Sequence, residues 1–456
     1  MVALHPALKK AYWGLAGAGA LYAVFMLCLT NVTIQRKYVN SSRDSPCSKT
    51  LCSTLQRSAL YANKLVSAWW ANVDTPQAYG FAKNQVTAFN VTTPDHEVLY
   101  AWHVLPLNVY EKHEPDLALA ASGSPDGDFT QTQAFQLLAK DPKARLVINF
   151  HGNAGHIAQG WRTDTYRALT SLPHTHLLTL DYRGFGRSTG APTEAGLIAD
   201  GVALVNYALH TLHVPASRIV IVGQSLGTAV ASAVGLHFAD PAAAAALLPG
   251  GAEEGGKEQG DGSQAAITLL PAPVDFAAVV LIAPFTSLPV LVESYRIFGV
   301  VPLLSPLRGY PRVQKWLRAR IVDTWNTLGR VEALVAAASP SSGSSAKKGA
   351  EQRRLRLHVI HAKDDFDIPW AHGEHLYQSA SSVLQLSRPE DVAVVEESVA
   401  ADGGRSGRVR STYSVDGAVE VRMNLLAWGG HNRVVTFAPV SLAVLRAFEA
   451  AGAGTA

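Results

Sequence analysis

Cysteine is scarce in this chain, with three residues in 456. Cys28 lies inside an apolar run, and Cys47 and Cys52 lie close together just beyond it. This pattern excludes a disulfide scaffold and a cysteine-rich zinc module, which need more ligands than the chain supplies. We predict no metal and no cofactor. Cys47 and Cys52 could form a disulfide or remain two free thiols. A disulfide would persist only in an oxidising compartment, so both alternatives stay open.

Charge is also low. Charged residues make up 16% of the chain, below the quarter or so that is typical of soluble domains. The shortfall favours a membrane segment or an apolar binding surface. The net charge is +3, with both signs scattered, and no basic stripe predicts nucleic-acid binding. Hydrophobic residues make up 48% of the chain, enough for a large core, and large α/β folds often form one unit at this length.

Residues 11–30 carry no charged side chain. Twenty helical residues span about 30 Å, the thickness of the hydrocarbon core of a bilayer. We therefore predict a tail at 1–10 and a single transmembrane anchor at 11–30. The alternatives are a cleaved signal peptide, for which the run offers no good cleavage site, and a buried helix, which rarely lacks a polar side over such a length.

The membrane orientation is less clear from charge. Basic residues flank both ends of the run: Lys9 and Lys10 before it, and Arg36, Lys37 and Arg43 after it. Three N-x-[ST] glycosylation motifs all follow it, at Asn31, Asn40 and Asn90. They can be used only on the lumenal side. We predict a single-pass glycoprotein in which the chain after residue 30 lies on the lumenal side.

Beyond a stalk at 31–78, residues 79–456 read as one α/β domain. Short apolar runs, typical of buried strands, alternate with helical patterns. The predicted strands are Gln85–Thr92, Val98–Leu105, Arg145–Phe150, His176–Tyr182, Arg218–Gly223, Ala278–Ala283, Leu355–His361 and Val419–Leu426. The predicted helices include Trp161–Leu172, Glu194–Leu212 and Leu226–Phe238. This alternation predicts a mostly parallel sheet with helices on both faces.

Three low-complexity segments interrupt the alternation. Residues 239–273 are rich in alanine and glycine, residues 336–353 in alanine and serine, and residues 397–412 contain a Gly/Arg-rich stretch. We predict that they are flexible surface insertions. Residues 287–330 are apolar with a few arginines and follow the predicted strand Ala278–Ala283. We predict a helical cap there.

A G-x-S-x-G motif lies between a predicted strand and a predicted helix, at residues 223–227. A nucleophilic serine on such a turn projects above the sheet, and Gly223 and Gly227 are needed because the turn leaves no room for side chains. We predict that Ser225 is the nucleophile. The alternative is a structural Gly/Ser turn that only packs a helix on a strand.

Acyl transfer also needs two backbone N–H groups that stabilise a developing oxyanion. We predict that Leu226, directly after the serine, supplies one. Asn153 supplies the other, in the loop His-Gly-Asn-Ala-Gly (151–155) after a predicted strand. His151 precedes the serine, an order that is wrong for a catalytic base in this arrangement, and we interpret it as bracing the loop. Asp181 and Arg183 are predicted to hold loops together.

The acid and the base are expected after later strands. Asp364 and Asp365 both qualify as the acid, and we favour Asp365. His372, His375 and His431 are candidates for the base. His372 and His375 fall on a predicted helix, whereas His431 follows a strand and two glycines on a loop, so we favour His431.

Four pieces of the chain together resemble one family. They are His-Gly-Asn-Ala-Gly (151–155), Asp-Tyr-Arg-Gly-Phe-Gly-Arg-Ser (181–188), Gly-Gln-Ser-Leu-Gly-Thr (223–228) and Ala-Pro-Phe-Thr-Ser (283–287). The chain resembles a fungal member of the α/β-hydrolase domain-containing 12 family, which comprises integral-membrane monoacylglycerol and lysophosphatidylserine lipases. The resemblance covers roughly residues 79–335 and 355–445 and the N-terminal anchor. It implies an α/β-hydrolase fold and a triad of Ser225, Asp365 and His431.

The expected function is therefore hydrolysis of a lipid carboxylic ester, a lysophospholipid or a monoacylglycerol, at a membrane. We predict that this membrane is the endoplasmic reticulum and that the catalytic domain faces its lumen. Two alternatives are carried: a protein thioesterase or peptidase of the same fold, and a non-catalytic membrane scaffold. Gln224 stands where relatives often have histidine, and the low-complexity segments have no evident counterpart in the family. The expected partners are the lipid ester and the bilayer, with no nucleic acid. The sequence leaves the oligomeric state open.

Overall fold

A computed structural model describes residues 60–63, 72–122, 124–249, 273–297, 301–302, 309–319, 321–339, 353–399 and 407–452. The chain divides into two units, one formed by residues 1–62 and 306–322 and the other by residues 63–305 and 323–456. The predicted anchor at 11–30, the sequons at Asn31 and Asn40, and most of the predicted stalk lie outside the described residues.

The larger unit is built on a ten-stranded sheet. Its strands are β1 (Val86–Thr92), β2 (Val98–Val104), β3 (Arg145–Phe150), β4 (Thr175–Leu180), β5 (Ile219–Gln224), β6 (Ala278–Ile282), β9 (Leu355–Ala362), β10 (Val392–Val399), β11 (Gly407–Ser414) and β12 (Val419–Leu426). Separately, the two-residue strands β7 (Arg296–Ile297) and β8 (Val301–Pro302) pair antiparallel. The eight predicted strands all form, each within two residues of its predicted bounds.

The strand order is β1-β2-β4-β3-β5-β6-β9-β12-β11-β10. The six strands from β4 to β12 in this order run parallel. The strands outside them pair antiparallel. The carboxyl ends of the parallel strands therefore meet at one edge of the sheet, where loops from distant parts of the chain converge.

The described residues contain twelve α-helices. They are α1 (Leu107–Leu119), α2 (Gln133–Lys140), α3 (Arg162–Thr170), α4 (Glu194–Asn206), α5 (Leu226–Ala239), α6 (Pro241–Ala246), α7 (Leu288–Ser294), α8 (Pro311–Arg318), α9 (Thr327–Ala338), α10 (Ala371–Ser387), α11 (Gly430–Arg433) and α12 (Ala438–Gly452). Helix α8 belongs to the smaller unit. Its Val313 and Trp316 side chains are exposed.

Helices cover both faces of the sheet, as predicted. Because side chains alternate along a strand, Val220 and Val222 of β5 lie in one buried cluster with Val444 of α12 and Tyr166 of α3. Helix α5 packs against β5 and β6, and between α4 and α9. All fourteen residues of α5 are buried, which explains its small, apolar composition.

The structure differs from the predicted segments in four places. Residues 241–246, within the predicted insertion at 239–273, form helix α6. Residues 336–338, within the predicted insertion at 336–353, are the end of helix α9. Residues 392–399 and 407–414 are antiparallel strands, so the described part of the predicted flexible insertion at 397–412 is an edge hairpin of the sheet. Residues 327–330, predicted as the end of the cap, begin the core helix α9. There Arg330 is buried and pairs with buried Glu194 of α4. Within the range predicted as a cap, the described elements are α7 and the β7–β8 pair in the larger unit and α8 in the smaller unit; a capping role stays a prediction.

In the described ranges, no single helix is both long enough and apolar enough to cross a membrane. The helical segments Gly430–Thr436 and Ala438–Gly452 are together long and apolar enough, but the chain bends by 46° between them. Asn90, the sequon within the described residues, lies on β1 and donates a hydrogen bond to Asp126 Oδ1 at 3.1 Å.

Candidate active site

The turn between β5 and α5 has the geometry predicted for a nucleophile. Ser225 has φ 53° and ψ −120°, a left-handed conformation that is costly for any residue other than glycine. Its N–H donates to the Ile282 carbonyl at 2.9 Å. A β-carbon at Gly223 would lie 2.2 Å from the Gly227 carbonyl oxygen, and one at Gly227 would lie 2.0 Å from that of Phe150. Both glycines of the motif are therefore required by close backbone contacts.

We expect Gly227→Ala to destabilise the fold by about 3 kcal/mol, because the added methyl group must push β3 and α5 apart. The measurement is thermal unfolding of the purified chain, followed by circular dichroism. Gly452→Ala is the matched control, since a β-carbon there meets no atom within 4 Å. Equal melting midpoints for the two variants would contradict the prediction.

The structure brings the three predicted triad residues together. His431 Nε2 lies 3.0 Å from Ser225 Oγ, and His431 Nδ1 lies 2.9 Å from Asp365 Oδ2. An ionised carboxylate only accepts hydrogen bonds, so Nδ1 carries the proton and Nε2 of the neutral ring accepts from the serine hydroxyl. Asp365 also accepts from the N–H groups of Asp367 and Ile368 through Oδ1, at 3.0 and 2.8 Å.

The electrostatics of the pair agree with this arrangement. Burial alone raises the pKa of Asp365, but the charge of His431 and hydrogen bonds from His361 and His431 outweigh it, so the pKa falls below its usual range. Burial alone lowers the pKa of His431. The charge of Asp365, its hydrogen bond and the charge of Asp367 reverse that effect and raise the pKa. The carboxylate therefore favours a protonated imidazole, as proton transfer from a serine requires.

The other candidates lie in different places. Asp364 Oδ1 accepts from the Gly430 N–H at 2.8 Å, so it holds the loop that carries His431. His372 is buried on α10, with Nδ1 3.0 Å from Thr286 Oγ1. Burial, together with the charges of His361 and His375, lowers the pKa of His372 to about 4. His375 is exposed on the same helix.

The loop residues have the structural roles predicted for them. His151 is buried, with Nδ1 2.7 Å from the Gly152 carbonyl oxygen and its ring against Tyr182. Asp181 accepts from the Ile157 N–H at 2.5 Å. Arg183 pairs with Asp95 and Asp200. These contacts hold the loops after β3 and β4 in place.

The family model described as alpha/beta hydrolase fold matches residues 145–280, from β3 to β6. This match, the strand order and the serine turn after β5 all indicate the same fold. The chain has the α/β-hydrolase fold.

The chain is also similar to individual proteins. The uncharacterised protein YfhR of Salmonella typhimurium is 37% identical over 112 residues, 22% of this chain and 37% of that protein. Lysophosphatidylserine lipase ABHD12 of Danio rerio is 27% identical over 182 residues, 40% of this chain and 42% of that protein. The chain thus spans about two-fifths of these relatives. Esterase Pf2001 of Pyrococcus furiosus aligns with 85% of this chain and 95% of its own, at 13% identity and a TM-score of 0.42.

Sequence reasoning missed one arginine of this α/β-hydrolase fold. Arg162, the first residue of α3, donates through Nη2 to the carbonyl oxygens of Gly152, Asn153 and Ala154 at 2.8 to 2.9 Å. The C=O and N–H of a trans peptide point in opposite directions. The Asn153 N–H, which shares a peptide with the Gly152 carbonyl, therefore points away from Arg162. A β-carbon at Gly152 would lie 3.3 Å from Ser225 Cβ, so this loop borders the serine.

Two further contacts, at His361 and Gln224, were also missed. His361 is buried at the end of β9. Its Nε2 lies 3.0 Å from the Ile368 carbonyl oxygen and 3.2 Å from Asp365 Oδ2. Because a carbonyl only accepts, Nε2 carries a proton, which is shared with the carboxylate. Gln224 Nε2 donates to the His431 carbonyl at 3.3 Å. The only sequence feature that could have indicated the role of His361 is its position near the end of a predicted strand, four residues before Asp365.

Proposed function

We propose that this chain is a serine hydrolase that cleaves carboxylic esters of lipids, either a lysophospholipid such as lysophosphatidylserine or a monoacylglycerol. The observation that carries the proposal is the continuous chain of contacts from Ser225 Oγ through His431 to Asp365, at 3.0 and 2.9 Å. The lipid class is supported by the similarity to the Danio rerio lysophosphatidylserine lipase. Membrane anchoring through residues 11–30, with the site on the lumenal side of the endoplasmic reticulum, is part of the proposal.

The first half of the reaction forms an acyl-serine. His431 Nε2 takes the Ser225 hydroxyl proton while Oγ attacks the ester carbonyl carbon. Asp365 keeps the imidazole in the required tautomer and stabilises its positive charge. The backbone N–H groups of Asn153 and Leu226 stabilise the oxyanion. The Leu226 N–H is available because the first N–H groups of a helix have no partner within that helix. When the intermediate collapses, the C–O bond to the alcohol breaks, and the leaving oxygen takes the proton from His431.

The second half releases the fatty acid. A water molecule gives a proton to His431 Nε2 as its oxygen attacks the acyl carbon. The same N–H groups stabilise the second oxyanion. The bond from the acyl carbon to Ser225 Oγ then breaks, and Oγ recovers its proton from His431. The enzyme returns to its starting state without metal or cofactor.

The test is fatty-acid release from a panel of lysophospholipids and monoacylglycerols by the detergent-solubilised full chain. A matched sample is pre-treated with a fluorophosphonate, which blocks an activated serine. Release from the untreated sample alone is the expected result, and the panel ranks the head groups. Fluorophosphonate labelling without lipid release would favour a thioester or peptide substrate. Neither labelling nor release would favour a non-catalytic scaffold.

We expect kcat/KM to rise with pH and then level off, because only neutral His431 can accept the serine proton. Asp365 and Asp367 raise the pKa of His431 above the ordinary histidine value of 6.5, so the midpoint should lie above that pH. The measurement is the pH profile of ester hydrolysis at substrate concentrations far below KM. In Asp365→Asn, the residual activity should show a lower midpoint. A wild-type midpoint at or below pH 6.5 would contradict the prediction.

A further inference from the structure

Large apolar side chains are exposed at the edge of the sheet that carries the triad. Trp161 follows β3, Phe366 and Trp370 follow β9, and Trp428 follows β12. Their exposed fractions lie between 38% and 69%. We name these four residues the apolar rim. All four lie on loops or at the start of a helix, beyond the carboxyl ends of parallel strands.

The apolar rim adjoins the catalytic groups. Phe366 directly follows Asp365, whose carboxylate contacts His431 at 2.9 Å. Trp428 lies three residues before His431. Arg433, two residues after His431, lies with its guanidinium 5.8 Å from the centre of the Trp161 ring. The aromatic side chains therefore lie on the loops that hold the acid and the base and on the loop that follows β3.

The grouping of these side chains is unusual. Single exposed apolar residues are common on protein surfaces and need no explanation. The described chain has such residues elsewhere, for example Leu119 and Leu386 at helix ends. Tryptophan differs, because its large ring is expensive to leave in water. Of the six tryptophans in the described residues, Trp102 and Trp325 are buried and Trp316 lies on α8. The other three are all in the rim.

A lipid bilayer is the partner that fits best. Tryptophan favours the membrane interface, where its apolar ring faces acyl chains and its N–H stays hydrated. Arg433 beside Trp161 is placed to meet lipid phosphates at that level. The uncharged run at 11–30 precedes the described residues and is long enough to span about 30 Å of hydrocarbon. If that run spans a bilayer, as proposed, a membrane surface is already present for the rim to bind.

We propose that the apolar rim docks onto the bilayer, so that the mouth of the site takes lipid esters directly from the membrane. This inference rests on the proposed function, because it explains how an insoluble ester reaches Ser225. It adds a surface that anchoring by residues 11–30 alone does not require.

The test uses the full chain reconstituted into phosphatidylcholine vesicles, with Phe366→Ser, Trp370→Ser and Trp428→Ser combined. Two substrates are compared: a monoacylglycerol within the bilayer and water-soluble p-nitrophenyl acetate. We expect the triple variant to raise the half-saturating mole fraction of monoacylglycerol about tenfold. Hydrolysis of p-nitrophenyl acetate should stay within about twofold. The matched control combines Leu119→Ser and Leu386→Ser, at sites that are 87% and 83% exposed, and should change neither rate.

A second readout does not depend on turnover. Brominated phosphatidylcholine quenches tryptophan fluorescence only on contact. We expect the triple variant to lose part of the quenched fluorescence that the wild-type chain and the control variant show. Unchanged quenching would overturn the proposal and favour a protein partner for the rim. Equal loss of both activities would also overturn it, since the rim would then line the ester pocket. Hydrolysis of neither ester by the wild-type chain would instead refute the proposed function, while quenching would still report on docking.

Discussion

Replacing Ser225 with alanine is expected to lower kcat for ester hydrolysis by about 10⁶-fold, the size of effect seen when a serine hydrolase loses its nucleophile. The variant keeps His431, Asp365 and the backbone N–H groups, but no oxygen remains to form the acyl intermediate. The measurement is fatty-acid release from the best lipid of the panel, together with fluorophosphonate labelling. Both should fall to background.

The matched control is Ser232→Ala. Like Ser225, Ser232 is buried, and it lies within α5, the helix that follows Ser225. Its hydroxyl donates to the Ala229 carbonyl at 3.0 Å. Removing this hydroxyl should leave hydrolysis within about twofold, because a single hydrogen bond within a helix has a modest net effect. Hydrolysis that survives in Ser225→Ala would show that a different group is the nucleophile.

Asp365→Asn is expected to lower kcat by about 10⁴-fold, because the neutral amide neither stabilises the imidazolium nor holds the Nδ1–H tautomer. Neighbouring Asp364 provides a demanding control. It accepts one hydrogen bond from the Gly430 N–H at 2.8 Å, and the carbonyl oxygen of asparagine can accept the same bond. Asp364→Asn should therefore cost less than about tenfold. Steady-state kinetics of both variants on one lipid ester measure the difference, and the reverse ranking would refute our assignment of the acid.

The central strands were predictable because each is a short apolar run that is buried on both faces. Ile-Val-Ile-Val at 219–222 is an example, and every residue in it is fully buried. The last two strands in the sheet order, β11 and the edge strand β10, were not predicted. In β10, Val394 and Val395 are exposed, and glycine and arginine near 400–410 look like a flexible segment. Pairing of β11 with β12 and of β10 with β11 decides their conformation, and these pairings depend on which strand becomes the edge of the sheet.

The choice among catalytic candidates shows a similar division. A strand, a G-x-S-x-G turn and a helix are adjacent in the chain, so Ser225 was identifiable from local pattern alone. Asp364 and Asp365 are equally placed in the sequence. Their separation depends on the turn after β9, in which Asp365 accepts two backbone N–H groups and faces inward. Asp364 faces the Gly430 loop instead.

By itself, the sequence determined the α/β architecture and the serine turn, because strand burial and backbone crowding act over a few neighbouring residues. The sequence favoured His431 from its position after a strand, but only the tertiary structure shows that this histidine meets the serine. His431 Nε2 reaches Ser225 Oγ across 206 residues, and no local pattern encodes such a distance. Only the tertiary structure shows that the Arg162 guanidinium donates to three carbonyl oxygens of the loop after β3. It also shows that His361 adds a second imidazole contact to Asp365. Parallel strands bring their carboxyl ends to one edge, and that convergence assembles the site.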